Sequence, residues 1–362
     1  MKAFLRIALT LLLAAAAAAA GYLWYSIEKP FGTVPLQGVF VRIPHGASQR
    51  AAAHLLQSKG LIRSSLAFEL YARRHPKRAL LAGDYLFDHP LSGKEVFWKL
   101  ANGEVYQQPF TVREGDTIFD IATNLQTAAY LKAADFLRAA SDGTQIQDIA
   151  PGAKNLEGFL YPATYNLPQN VSAADLTAMM VRKFREALEQ IAPDRLDPLT
   201  PGTPLLSVIT LASLVEAETP KPDERPVVAG VYTNRLRKEM LLQCDPTVIY
   251  SLKQLAAYNH PLTLKDLHYD SPYNTYIHLG LPPGPIGNPG ETAIRAALAP
   301  APTAFLYFVA NTQGGHFFAT TLAEHNENVA KYHRLLNGEP ADPPVTEAHS
   351  SQTAGSAHKG KR

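Results

Sequence analysis

The sequence predicts an α+β protein made of an N-terminal transmembrane helix, a small α/β region and a larger mixed α+β domain. Three observations carry this reading. A charge-free run opens the chain, and short apolar runs bounded by turn residues then alternate with helical patterns. Between Leu205 and Val215 lies a helical stretch apolar nearly all round, the mark of a buried helix. The strands and helices alternate too irregularly for a doubly wound sheet. At 362 residues with 46% hydrophobic side chains, the chain is long enough for two or three domains with their own cores. A net charge of +2 gives no reason to expect a nucleic-acid partner. Cys244 is the single cysteine, so an intramolecular disulfide is excluded, and the residue reads as a small buried apolar side chain.

The first element is the membrane segment. Residues 1–6 carry Lys2 and Arg6, and 7–27 is uncharged. At about 1.5 Å per residue, that run spans a hydrocarbon core of roughly 30 Å. Tyr22, Trp24 and Tyr25 fall at its far end, where an aromatic belt sits. Two cations before the run and Glu28 after it favour a cytoplasmic N-terminus and a single-pass anchor. A cleaved signal peptide is the competing reading, since Ala18 and Ala20 offer small-residue cleavage sites. Both readings export the rest of the chain.

Residues 35–108 form the next subdomain. Val41-Arg-Ile-Pro-His-Gly46 reads as a strand and turn, followed by helices over Ala51–Gln57 and Ser64–Arg74. A weak repeat recurs 69 residues later, in 109–154: Gly46 matches Gly115, Ser48 matches Thr117, Ala53 matches Ala122, Leu56 matches Leu125 and Phe68 matches Leu137. Ser48 and Thr117 are expected N-caps, because a hydroxyl can accept a bond from an otherwise free amide of the first turn. The third part, 155–336, holds nearly all the distinctive chemistry. The tail, 337–362, lacks large apolar residues and reads as disordered, since it cannot bury enough surface to offset ordering entropy.

Within the third part, Thr203-Pro204 reads as a hydroxyl cap followed by proline at the first helical position. The helix ends at Glu216-Ala-Glu218-Thr219, and Pro220 stops it. Glu218 shares a face with Ser207, Leu211, Leu214 and Val215. Burial there, and the negative end of the helix dipole, would raise its pKa toward what a general acid needs. Glu216 points about 160° away, with Leu205, Ile209 and Ala212, so the two cannot act as a facing pair. On the residues alone the simpler reading is that both pair with downstream basic residues such as Arg225 and Arg235, and helix geometry does not choose between the two glutamates.

Four further segments stand out: Leu156-Glu-Gly-Phe-Leu-Tyr-Pro162, Leu242-Gln-Cys-Asp-Pro-Thr-Val-Ile-Tyr250, Ser271-Pro-Tyr-Asn-Thr-Tyr276 with the loop Gly280-Leu-Pro-Pro-Gly-Pro-Ile-Gly-Asn-Pro-Gly290, and Phe305-Leu-Tyr-Phe-Val309 leading to Gly314-Gly-His316. Sugar hydroxyls need polar partners and pyranose faces stack on rings, so Asn, Gln, Asp and Tyr beside aromatics suit a glycan cleft. Taken singly, each segment also suits turn chemistry around an aromatic core. Phe305–Val309 reads as a buried strand.

Two resemblances follow. Phe110-Thr-Val-Arg-Glu-Gly-Asp-Thr-Ile-Phe-Asp-Ile-Ala122 resembles the opening of a LysM module, a fold associated with N-acetylglucosamine polymers; a strand–turn–helix unit that binds nothing fits the same residues. The combination Ala212-Ser-Leu-Val-Glu-Ala-Glu-Thr219, Gln243-Cys-Asp-Pro-Thr247, Tyr273-Asn-Thr-Tyr276 and Gly280-Leu-Pro-Pro-Gly284 closely resembles the MltG (YceG-like) family of endolytic murein transglycosylases. The resemblance implies an inner-membrane enzyme with a LysM-like region beside a periplasmic catalytic domain, acting on peptidoglycan glycan strands without a cofactor. It makes Glu218 the catalytic residue and implies enzymes of wall synthesis as candidate partners. Gln243, Asp245, Tyr273, Asn274 and Glu157 are the expected substrate contacts. Three positions depart from the family pattern: Ala217 replaces a usual Lys, Cys244 a common Thr, and Ala163 an acid. The last leaves the role of that acid open. A muramidase cutting the same bond, or a non-catalytic glycan-binding scaffold, would carry many of the same residues. The scattered histidines suggest no metal site.

Overall fold

The computed structural model describes residues 2–168, 170–196, 202–255, 258 and 260–338. The expected tail therefore lies outside the described residues from position 339 on. The fold is mixed α+β. Its elements in chain order are α1 (Lys2–Glu28), β1 (Val39–Ile43), α2 (Gln49–Ser58), α3 (Ser65–Arg73), β2 (Gly83–Phe87), α4 (Gly93–Ala101), β3 (Gln108–Thr111), α5 (Ile118–Thr127), α6 (Ala133–Ala140), β4 (Thr164–Leu167), α7 (Ala173–Ile191), α8 (Leu205–Glu218), α9 (Arg225–Arg237), α10 (Asp245–Gln254), α11 (Glu291–Leu298), β5 (Tyr307–Ala310), β6 (His316–Ala319) and α12 (Leu322–Leu336). The strands form separate two-stranded antiparallel ribbons, β1–β2, β3–β4 and β5–β6.

The chain divides into two compact units. The first comprises residues 1–112, 122–136 and 163–176; the second comprises 113–121, 137–162 and 177–362.

In the first unit, α1 is long and apolar enough to cross a membrane. It is exposed along most of its length, but its last turn enters a core, where Ser26 and Ile27 are buried. That core gathers Val41, Ile43, Leu56, Phe68, Tyr85, Phe97 and Leu100 from β1, α2, α3, β2 and α4. Pairing of Val41 with Tyr85 and Ile43 with Gly83 sets the register of the ribbon. The Ser48 hydroxyl accepts from the Ala51 N–H at 3.1 Å and so caps α2 as expected. Ser92 and Glu95 close a reciprocal capping box on α4.

The expected repeat appears as a strand, a turn with a left-handed glycine, and two helices in each copy. Gly46 has φ 74° and Gly115 has φ 82°. Thr117 accepts from the Asp120 N–H at 3.2 Å. Ala53 and Ala122 are both buried, as are Leu56 and Leu125. One match shifts: the buried counterpart of Phe68 is Phe136, while Leu137 is half-buried.

In the second unit, α8 is the central element, buried from Val208 to Val215 and packed by α9, α10 and α11. Its start differs from expectation. Pro204 occupies the N-cap, extended at ψ 142°, and no side chain caps the helix. The Thr203 carbonyl accepts from Arg195 Nη1 at 3.0 Å instead. The helix begins one residue later than expected, so proline, which has no hydroxyl, takes the N-cap position and its carbonyl accepts the first intrahelical bond, from the Val208 N–H. The few polar side chains of α8 hold the Gly/Pro-rich loop: Ser213 Oγ accepts from the Ile286 N–H at 3.0 Å, and Glu216 Oε2 from the Gly290 N–H at 2.9 Å. Gly158, at φ 87°, packs so closely on that loop that a Cβ there would fall 2.5 Å from Pro285 Cγ. The strand expected at Phe305–Val309 is β5, which starts two residues later, ends one later and is half-buried along most of its length.

Candidate active site

Thr219 turns extended after the last residue of α8 and Pro220 denies the helix another amide, so Glu218 projects from a helix end. Its neighbour in space comes from α9: Tyr232 Oη donates to Glu218 Oε1 at 2.7 Å. The tyrosine is fully buried, and burial pushes its pKa well above the usual value, so it stays a donor. Burial likewise pushes the Glu218 carboxyl upward. The hydrogen bonds from Tyr232 and the Cys244 thiol oppose that rise, as does the charge environment at His316, while the Asp245 carboxylate adds to it.

Glu218 lines a cleft of about 300 Å³ with Arg235, Leu242, Gln243, Asp245, Tyr276, Phe308 and His325. Gln243 and Asp245 are exposed and flank the fully buried Cys244 at the start of α10. Gln243 is held at φ 52°, a costly conformation for a residue with a side chain, and its N–H is fixed by the Thr275 carbonyl at 3.1 Å. The Tyr276 hydroxyl donates to Asp245 Oδ1. Phe308 packs edge-on against Tyr232 with ring centroids 5.9 Å apart.

The second glutamate of α8 has a different environment. Glu216 accepts from Arg225 Nη2, and both side chains are almost completely buried, at 6% and 5% exposure. Arg225 therefore pairs with Glu216. Arg235 pairs with neither glutamate: it donates to the carbonyls of Leu306, Leu242 and Leu241.

The structure thus brings Glu218, Gln243 and Asp245 into one cleft. It puts the other expected contacts elsewhere. Asn274 is fully buried, and its amide is spent on the Leu267 and Tyr269 carbonyls at 3.0 and 2.8 Å. Glu157 is 1% exposed. It accepts from the Ile118 N–H at 3.1 Å and from Asn288 Nδ2 at 3.1 Å, and burial pushes its pKa up to about 8. Tyr273 lines a separate small cavity with Glu157, Pro283 and Pro285. None of these three lines the cleft of Glu218, and for two of them the reason is physical. A polar side chain in a distinctive motif can serve the loop that carries it, and here Asn274 and Glu157 have no bonding capacity facing the cleft. Sequence reasoning missed Tyr232, Tyr276, Phe308 and His325; of these Tyr276 and Phe308 lie in segments it singled out, and Tyr232 and His325 do not. Among the described residues no group of three His, Cys, Asp or Glu side chains could hold a metal.

A half-buried carboxyl accepting from a phenol, in a polar cleft edged by Tyr276 and Phe308, can give and take a proton at a hydroxyl-rich substrate. The chain matches the model of the YceG-like family over residues 41–331 and belongs to that family. It is 34% identical over 311 residues to the endolytic murein transglycosylase of Bacillus subtilis (strain 168), covering 81% of this chain and 84% of that one. Identity is 31% over 327 residues to the endolytic murein transglycosylase of Streptococcus pneumoniae serotype 2 (strain D39 / NCTC 7466), covering 81% of this chain but 58% of the relative. A crystal structure of a YceG-like protein from Listeria monocytogenes superposes with a TM-score of 0.54 at 32% identity, covering 81% of this chain and 99% of that one.

Proposed function

We propose that this protein is an endolytic lytic transglycosylase of peptidoglycan, cutting between N-acetylmuramic acid and N-acetylglucosamine with Glu218 as its acid and base. The observation that carries the reading is the Glu218–Tyr232 pair at the floor of the cleft, in a chain whose relatives are named endolytic murein transglycosylases.

The chemistry needs one carboxyl group. Burial favours the protonated form of Glu218, which gives its proton to the glycosidic oxygen as the bond to muramyl C1 breaks. The resulting carboxylate, accepting the Tyr232 hydroxyl, takes the proton of the muramyl C6 hydroxyl as that oxygen bonds to C1. The acid is restored, a 1,6-anhydromuramyl end forms and no water is consumed. Because the nucleophile belongs to the substrate, holding its ring in place replaces a bimolecular attack. A hydrolase would need a second carboxylate to handle water or to attack C1. Asp245 is the carboxylate nearest that role, and its tie to Tyr276 favours a binding one. Gln243 and Asp245 are the proposed sugar contacts.

The same reading assigns α1 as a single-pass anchor with its N-terminus in the cytoplasm and the domains outside the inner membrane. It gives 109–154 a LysM-like role in holding glycan and 155–336 the catalytic role. The β3–α5–α6 order of this stretch, with β3 paired antiparallel to β4 beyond residue 154, supports the LysM-like reading. The test is to digest purified peptidoglycan and identify product ends by mass spectrometry. Anhydromuramyl ends support the proposal; reducing muramyl ends would make the enzyme a hydrolase instead.

A further inference from the structure

We propose that Arg235 forms a carboxylate-binding subsite in the wall of the cleft, receiving an anionic group on the lactyl substituent of the muramyl residue. The inference rests on the glycan-cleaving reading above and adds to it a basis for substrate choice.

Arg235 is 8% exposed. A guanidinium this buried is costly unless an anion compensates it. Yet no carboxylate lies within ion-pair distance among the described residues. Nε donates to the Leu306 carbonyl at 2.6 Å, and Nη1 to the Leu242 and Leu241 carbonyls at 2.9 and 3.2 Å. Its carbon lies 5.2 Å from the centre of the Tyr307 ring. Nη2 has no hydrogen-bond partner among the described residues, and the side chain lines the same cleft as Glu218. The two acids of that cleft are otherwise engaged. Glu218 accepts from Tyr232 and is biased toward its neutral form, while Asp245 accepts from Tyr276. The carbonyl ligands fix the plane of the guanidinium, so little further ordering is needed for an oxygen to dock. The same wall holds a second unspent polar atom, His325 Nδ1, which is buried without a partner. His325 also stacks on Tyr307, at 5.3 Å between centroids, and burial and the nearby Arg235 favour its neutral form. The wall therefore offers one fixed cation with a free donor.

A glycan strand is uncharged along its sugar rings. Its anions are carried on the muramyl C3 substituent, either as a free lactyl carboxylate or as the carboxylates of an attached peptide. Both present the chemistry that a guanidinium recognises.

Three soluble glycans of equal length separate the possibilities: peptide-bearing strands, strands stripped to the free lactyl carboxylate, and stripped strands whose lactyl carboxyl is converted to its methylamide. Binding and cleavage by the intact protein are measured on each. The neutral methylamide is expected to bind roughly 10- to 100-fold more weakly than at least one charged glycan. Which charged glycan is preferred identifies the source of the carboxylate. Arg235→Gln is expected to bring all three within about threefold, and Arg235→Lys to retain part of the preference. Should Arg235→Gln not fold, the wild-type comparison decides alone. Equal binding of all three by the wild type overturns the subsite. A charge preference in binding without any cleavage leaves the subsite standing and overturns the transglycosylase reading.

Discussion

Tyr232 Oη lies 2.7 Å from Glu218 Oε1, and this bond separates two glutamates that are only two residues apart. Glu216 takes the Arg225 guanidinium and the Gly290 N–H, so it serves as the buried end of an ion pair. Glu218 has a phenol, a thiol neighbour and an open cleft. The first arrangement holds a loop. The second leaves a proton free to move.

Removing the phenol alters the acid in a defined direction. The Tyr232 hydroxyl favours the carboxylate form, so Tyr232→Phe should raise the Glu218 pKa further. The alkaline limb of the pH profile for kcat, where the acid loses its proton, should move to higher pH. The maximal rate should fall about fivefold as one orienting bond of roughly 1 kcal/mol is lost. An unmoved alkaline limb would mean that Glu218 is not the group titrating.

The neighbouring ion pair should respond through stability. Arg225→Met strands the Glu216 charge in a site where both side chains are about 95% covered, at an expected cost of about 3–5 kcal/mol. Urea unfolding of the variant measures it. Glu218→Gln should change stability by about 1 kcal/mol or less, because no ion pair depends on that residue.

Glu157 predicts a pH dependence of stability. Its folded pKa of about 8 lies above its unfolded value of 4.5, so the folded state holds this proton more tightly. The contribution is fully present below pH 4.5 and is lost as pH rises toward 8. Melting temperature should therefore fall across that window in the wild type, with a slope approaching about 1.4 kcal/mol per pH unit from this group. Glu157→Gln should flatten the dependence and melt higher than the wild type at pH 8, as thermal scans at several pH values would show.

Gln243 should trade stability for binding. Its φ of 52° suits glycine, so Gln243→Gly should leave stability unchanged or raise it by up to about 1 kcal/mol. Losing the amide from the cleft should raise KM for glycan more than it lowers kcat, which steady-state kinetics would resolve.

The parts legible in the sequence were those whose causes are local. The charge-free run became α1, the all-apolar stretch became α8, Pro220 ended it, and Ser48 and Thr117 cap their helices. The parts not legible depend on residues brought together across the chain. Tyr232 reaches Glu218 from the next long helix, Tyr276 reaches Asp245 across 31 positions, and Asn288 reaches Glu157 across 131. No helical or strand period encodes such meetings. The same limit explains why Asn274 and Glu157 read as sugar contacts. Their motifs are distinctive because loop geometry demands them, and burial is a tertiary outcome. The Thr203 cap failed for a smaller reason, since the helix starts one residue later, at Leu205, and Pro204 takes the N-cap position.

Glu218 is proposed to supply and recover the proton of bond cleavage. The most direct test of that role is peptidoglycan digestion by Glu218→Gln beside the wild type, with glycan binding and melting temperature measured on the same preparations. The variant should fold and bind glycan as the wild type does but release no anhydromuramyl ends. Anhydromuramyl products at a rate close to wild type from that folded variant would contradict that role.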